Sequence, residues 1–196
     1  MIFRSFNKGG LKIVAVLTAS LFVSACQTTK LGGEVKAVTE AEQPLVFNGP
    51  GLEGGYRSFT SGDPTGARHT VTMAHYGPRS GSLPRASMQL YQASGGMHFT
   101  KSHTPFESMK LWHYFKERNP VQVSDGVGVN PIGAIEYVVA KTSDNLSCVG
   151  FLQFYGSRTD AGLGTRRLSG YYCAPEGVSL SDADAKSIVK GISLRE

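Results

Sequence analysis

The sequence predicts an α+β fold: a mostly antiparallel sheet of about six strands, two helices packed on it, and one disulfide-stapled hairpin. Three observations carry this. Short apolar or alternating runs are separated by turns rich in Gly, Pro and Asn. Two runs have helical spacing behind capping residues. Cys148 and Cys173 fall opposite each other when the segments that hold them are folded into a hairpin.

Taken along the chain, residues 68 to 76 (RHTVTMAHY) and 86 to 93 (ASMQLYQA) read as strands joined by the turn-forming loop GPRSGSLPR. The segment TPFESMKLWHYFKERNP reads as a helix. Thr104 is its N-cap, Pro105 takes the first helical position, Glu107 completes a capping box and Pro120 ends it. Leu111, Trp112 and Phe115 form the apolar stripe, with Lys110, Glu117 and Arg118 on the wet side. Residues 121 to 129 and 132 to 141 are strand-like around the Asn130-Pro131 turn, and TSDN leads into a further pair, 146 to 155 and 166 to 175. These four make an antiparallel meander. A final helix starts at Ser181 with Asp184 three residues on, and Ala185, Ile188, Val189 and Ile192 follow the i, i+3, i+4, i+7 pattern. Helices with one apolar face each, beside an antiparallel sheet, give the α+β class.

The last hairpin, taken as symmetric about Asp160 and Ala161, sets Cys148 opposite Cys173, Phe151 opposite Gly170 and Leu152 opposite Ser169. Directly opposed antiparallel residues are close enough to bridge. Closing that loop contributes roughly 3.5 kcal/mol in the chain-entropy picture. A redox-active pair is the alternative, but redox thiols usually sit close in sequence, as in C-x-x-C.

The N-terminus predicts where the protein works. Arg4, Lys8 and Lys12 precede an uncharged run, residues 13 to 25 (IVAVLTASLFVSA), which then turns polar at QTTK. That is the layout of a secretory signal, and the run is too short for a bilayer core that needs about 20 residues. Val23, Ser24 and Ala25 before Cys26 resemble the lipobox of bacterial lipoproteins. The resemblance, confined to residues 1 to 27, implies removal of residues 1–25 and acylation of Cys26, hence a lipid anchor in the cell envelope. Gln27 in place of an aspartate favours the outer membrane over the inner. The alternative is an ordinary secreted protein with a chance cysteine. An oxidising compartment also agrees with the disulfide.

Three of the 20 basic residues lie in the leader, leaving 17 against 15 acidic ones and a net +2 on the mature chain. That balance gives no electrostatic footprint for nucleic acid. Residues 26–44 contain no aromatic and few large apolar groups, so they read as the lipidated N-terminus and a flexible tether; 45–196 would be one globular domain.

Catalytic patterns are absent: no G-x-S-x-G, no H-E-x-x-H, no P-loop, and no Rossmann glycines after a strand. No cofactor is implied. His69 and His75 share a strand face with Val71 and Met73, while His98, His103 and His113 lie elsewhere. Three of these could geometrically hold zinc, but no tight ligand spacing occurs, and surface or half-buried histidines are the simpler reading. Glu136 is the one carboxylate in an apolar strand. It is either a buried general acid or, preferred, a solvent-facing or ion-paired side chain. More distinctive are Arg79 and Arg85 in one hairpin loop and Arg158, Arg166 and Arg167 in the other, with Tyr76, Tyr91, Tyr155, Tyr171 and Tyr172 in the adjoining strands. Arginine beside tyrosine suits an anionic or sugar-bearing polymer or a protein partner, against the simpler reading of solubilising loop charges. Two function classes follow. The preferred one is a non-enzymatic envelope lipoprotein that binds or stabilises an envelope component; the alternative is a periplasmic hydrolase built from dispersed His, Ser and Glu.

Overall fold

The computed structural model describes residues 35–53, 56–63, 69–78, 82–157 and 164–195; the leader with Cys26, and Arg79 and Arg158, lie outside the described residues. The strands are β1 (Lys36–Ala37), β2 (Leu45–Phe47), β3 (Tyr56–Gly62), β4 (His69–Gly77), β5 (Arg85–Ala93), β6 (Val121–Asn130), β7 (Gly133–Lys141), β8 (Ser147–Tyr155), β9 (Arg166–Cys173) and β10 (Ile192–Leu194). Two helices, α1 (Pro105–Lys110) and α2 (Asp182–Lys190), complete it with a 3-10 turn over His113–Phe115. Eight strands form one sheet in the order β1-β3-β4-β5-β9-β8-β7-β6, and β10 pairs with β2 separately. Every pairing is antiparallel.

The α+β class therefore holds, but with ten strands in two sheets rather than about six. The extra ones have physical reasons to be inconspicuous. β1, β2 and β10 have two or three residues each, too few to show a period of two. β3 (YRSFTSG) is mostly polar, because it lies near the sheet edge and pairs only with β1 and β4. The β6–β9 meander forms as expected, and the last hairpin has the expected register: Cys148 against Cys173, Phe151 against Gly170 and Leu152 against Ser169. Cys148 and Cys173 are disulfide-bonded.

Alternation along the strands gives the main sheet two faces. On one, Ile135, Tyr137, Val139, Val149, Phe151, Met88 and Tyr172 meet Ala185, Ile188 and Val189 of α2, together with Leu45, Phe47 and Ile192 from the small sheet. Phe47 is central: its ring lies 5.9, 6.4 and 6.2 Å from those of Tyr76, Phe151 and Tyr172. On the other, Val138, Ala140, Cys148, Tyr171 and Cys173 pack against Met109 of α1 and against Phe115. Both helices sit over a glycine. A Cβ on Gly128 would come within 2.6 Å of Val189, and one on Gly150 within 2.9 Å of the Met109 sulfur. This accounts for the alternation GVGV in β6, where the glycines lie beneath the α2 side while Val127 and Val129 point out from the opposite face, exposed.

Two expectations change. Residues 36–44, read as the end of a tether, belong to the fold. β1 pairs with β3, and Gln43, only 1% exposed, donates to the Met73 carbonyl at 3.1 Å and accepts from the Leu45 amide at 3.0 Å. A buried, fully bonded glutamine leaves no hydrophobic signal in the sequence. The first helix also ends far short of Pro120. Its capping box is present, with the Glu107 amide donating to Thr104 Oγ1 at 3.2 Å, but regular helix stops at Lys110. Trp112, Tyr114 and Phe115 then crowd Tyr171, with ring centroids 5.2, 5.4 and 4.8 Å away. One straight helix cannot turn residues two apart toward the same ring, so aromatic packing overrides the helix, and Leu111 is left exposed. α2 follows its pattern from the Ser181–Asp184 capping box to Val189; Ile192 is buried as expected but belongs to β10. Tyr137 donates a hydrogen bond to Asp182 and so ties the start of α2 to β7.

Candidate functional site

With only six residues, α1 spans about 9 Å and leaves part of its sheet face open. The β5–β9 register sets Gln89 beside Ser169 and Tyr91 beside Arg167. Ser108, Leu111 and Trp112 from α1 and its exit form the opposite wall of a cleft of about 200 Å³. The Arg167 guanidinium lies over the Tyr91 ring, 4.1 Å from its centroid, and 5.7 Å from that of Phe99. Phe99 is held there by its backbone N–H, which donates a hydrogen bond to the Gly164 carbonyl at 2.8 Å. Tyr91 donates to Gln89 Oε1 at 2.8 Å, which occupies the amide oxygen and leaves Gln89 Nε2 for another partner. Arg167 Nε is buried with no hydrogen-bond partner.

The remaining arginines make Arg167 informative. Arg57 pairs with Glu40, Arg118 with Asp144 and Arg195 with Glu40, at 3.3, 3.1 and 3.7 Å. Arg57 and Arg118 also lie over rings, 5.6 Å from the Tyr76 centroid and 4.2 Å from that of Tyr114. Arg85, Arg166 and Arg167 have ring contacts without such an ion pair: Arg85 lies 4.4 Å from the Tyr114 centroid and Arg166 5.8 Å from that of Tyr155. Among the described residues none of these three has a carboxylate partner. They do not converge, however. Arg85 is level with Cys173 and Gln92 with Arg166, so the bases of the two hairpins stand at opposite ends of the sheet, roughly 20 Å apart at 3.3 Å per residue. Arg166 also points to the opposite face from Arg167, as its sequence neighbour in a strand must.

The acid–base candidates are otherwise occupied. Glu136 is half exposed and accepts both its bonds from Lys101 Nζ, at 2.6 and 2.8 Å, beside a separate groove of about 350 Å³ that includes Phe106, Asp125 and Val127. His75 Nδ1 lies 2.8 Å from Ser87 Oγ, which donates to the Tyr171 hydroxyl at 3.3 Å. Burial, with the Arg85 charge second, holds the His75 imidazole below its ordinary pKa, and burial raises the Tyr171 phenol. This resembles a base beside a nucleophile, but Ser87 is only 1% exposed and no substrate reaches it. His98 contacts the Gly96 carbonyl and His103 the Ser102 hydroxyl. Among the described residues no three His, Cys, Asp or Glu side chains are grouped to hold a metal ion.

The sequence singles out Arg167 and Tyr91 but not Gln89, Ser108 or Ser169, and it places Trp112 in an apolar stripe. The β8–β9 register did carry a clue: counting in twos from Cys173 puts Tyr171, Ser169 and Arg167 on one face. No protein-family model, curated protein or solved structure matches this chain.

Proposed function

We propose that this chain is a lipid-anchored envelope protein whose globular part is a non-enzymatic binding or assembly module, holding an anionic envelope component against the α1 side of its sheet. The observation that carries the reading is Arg167, a guanidinium mounted on Tyr91 beside an open cleft, with no carboxylate partner among the described residues. A charge held in this way, partly desolvated and unpaired, favours an anionic partner. The anchor rests on the leader and Cys26 and favours the outer membrane. The hydrolase alternative draws no support from His75 and Ser87, since the hydroxyl is enclosed.

Co-sedimentation of the mature lipidated chain, in detergent, with purified insoluble envelope polymer tests the binding reading. The expected result is retention at low salt, release at high salt, and no fragments shed from the polymer. Absence of retention, or steady release of soluble fragments, would contradict it. In cells, Cys26→Ser should move the chain out of the membrane fraction; retention after a high-salt wash would refute the anchor.

A further inference from the structure

We propose that the Arg167 cleft takes a single pyranose unit bearing one oxyanion, carboxylate or phosphate; this rests on the envelope-binding reading and names the ligand of that site. Donors dominate the polar groups of the cleft: the Arg167 guanidinium, Gln89 Nε2, and the hydroxyls of Ser108 and Ser169, which can also accept; the Tyr91 hydroxyl has its proton on Gln89. Among the described residues no Asp or Glu lines the cleft. A donor-rich cleft selects an acceptor-rich ligand, and the planar guanidinium, 4.1 Å from the Tyr91 ring centroid and with its Nε buried, can present the edge of its two terminal nitrogens to an oxyanion in bidentate fashion. The wall opposite is apolar. Leu111 is 64% exposed at the end of α1 and Trp112 is half-buried beside it, an arrangement suited to the C–H face of a sugar ring. A volume of about 200 Å³ admits one ring. The anion goes to Arg167, ring hydroxyls to Gln89 and the serines, and the ring face to Trp112 and Leu111.

Trp112 is the only tryptophan in the chain, so its emission reports on this cleft directly. The mature lipidated chain in detergent is titrated with glucuronic acid, glucose 6-phosphate, glucose and inorganic phosphate, with calorimetry in parallel. At least one of the two acidic sugars should change the emission saturably, and which one does so assigns carboxylate or phosphate. Glucose and inorganic phosphate should each bind at least tenfold more weakly, since each lacks one half of the recognition. Ser108→Glu supplies an internal carboxylate facing Arg167 and should weaken the acidic sugar at least tenfold, as should Arg167→Gln; Arg166→Gln on the other face should leave it unchanged. Because Ser108 lies on the helix surface, its variant serves even if Arg167→Gln fails to fold. The proposal is overturned if no sugar binds by either readout, if glucose binds as well as the acidic sugars, or if Ser108→Glu has no effect. Retained co-sedimentation with envelope polymer despite such a failure would reject the ligand and leave the envelope-binding reading intact; loss of both would reject both.

Discussion

The two faces of the main sheet carry comparable helices but are closed to different degrees. On the α2 face, a nine-residue helix and the small sheet of β2 and β10 cover the strands together, and Phe47 fills the space among Tyr76, Phe151 and Tyr172. On the α1 face, a six-residue helix covers only the middle, leaving a groove along β6 and β7 and the Arg167 cleft over β5 and β9. The groove holds a carboxylate already satisfied by Lys101, whereas the cleft holds a cation with no carboxylate partner among the described residues. The difference teaches where each face leaves room: beside α2 a groove of about 340 Å³ remains between Pro50, Tyr172 and Ile188, while the shorter α1 leaves two openings, one of them at Arg167.

The largest effect should come from the closed face. Phe47→Ala should destabilise by about 3–5 kcal/mol, measured by denaturant unfolding, whereas Leu111→Ala on the open face should stay within about 0.5 kcal/mol. Similar losses for the two would erase the distinction. Next comes the bridge beneath α1: replacing both Cys148 and Cys173 by Ser should lower stability by about 2–5 kcal/mol while keeping the fold at low temperature. Two free thiols in freshly prepared, alkylated protein would instead revive the redox reading.

The two helix seats come next. Gly128→Ala pushes a Cβ against Val189, a short β-branched side chain with little freedom on a helix, and should cost about 1–3 kcal/mol. Gly150→Ala meets the Met109 sulfur at 2.9 Å, but also Met109 Cβ at 3.0 Å and Val138 at 3.1 Å, which have little room to yield, and should cost a similar amount. A negligible cost for Gly150→Ala in thermal unfolding would mean that α1 is the more loosely seated helix.

The smallest effect concerns pH. His75 is held neutral by burial, with its folded pKa below its unfolded one, so the unfolded chain takes up protons first as pH falls. Its contribution is present in full above about pH 6.5, the ordinary histidine value, and is lost on acidification below that point. His75→Gln should flatten the stability curve between pH 7 and 5; an unchanged slope would assign the dependence to other groups.

What the sequence made legible follows from how local each feature is. The Cys148–Cys173 register could be counted from the turn outward, and both capping boxes lie within four residues, Thr104 to Glu107 and Ser181 to Asp184. The break after Lys110 could not be read in the same way, since it depends on Tyr171, about 60 residues further on. Nor could the cleft, which requires β5 to pair with β9 across roughly 80 residues before Gln89 meets Ser169. Arg167 stands out as one of several arginines; Arg57 and Arg118 also lie over tyrosine rings, so what separates it from them and from Arg195 is the lack of an acid partner among the described residues.

The most direct test of the closed-and-open account is amide chemical-shift mapping on the isotope-labelled mature chain as soluble fragments of envelope polymer are added. The account predicts that Gln89, Tyr91, Ser108, Trp112 and Arg167 shift together and saturably, while Ala185, Ile188 and Val189 on the closed face do not move. Perturbations centred on α2, or on Val127 and Glu136 with the Arg167 cleft silent, would contradict it.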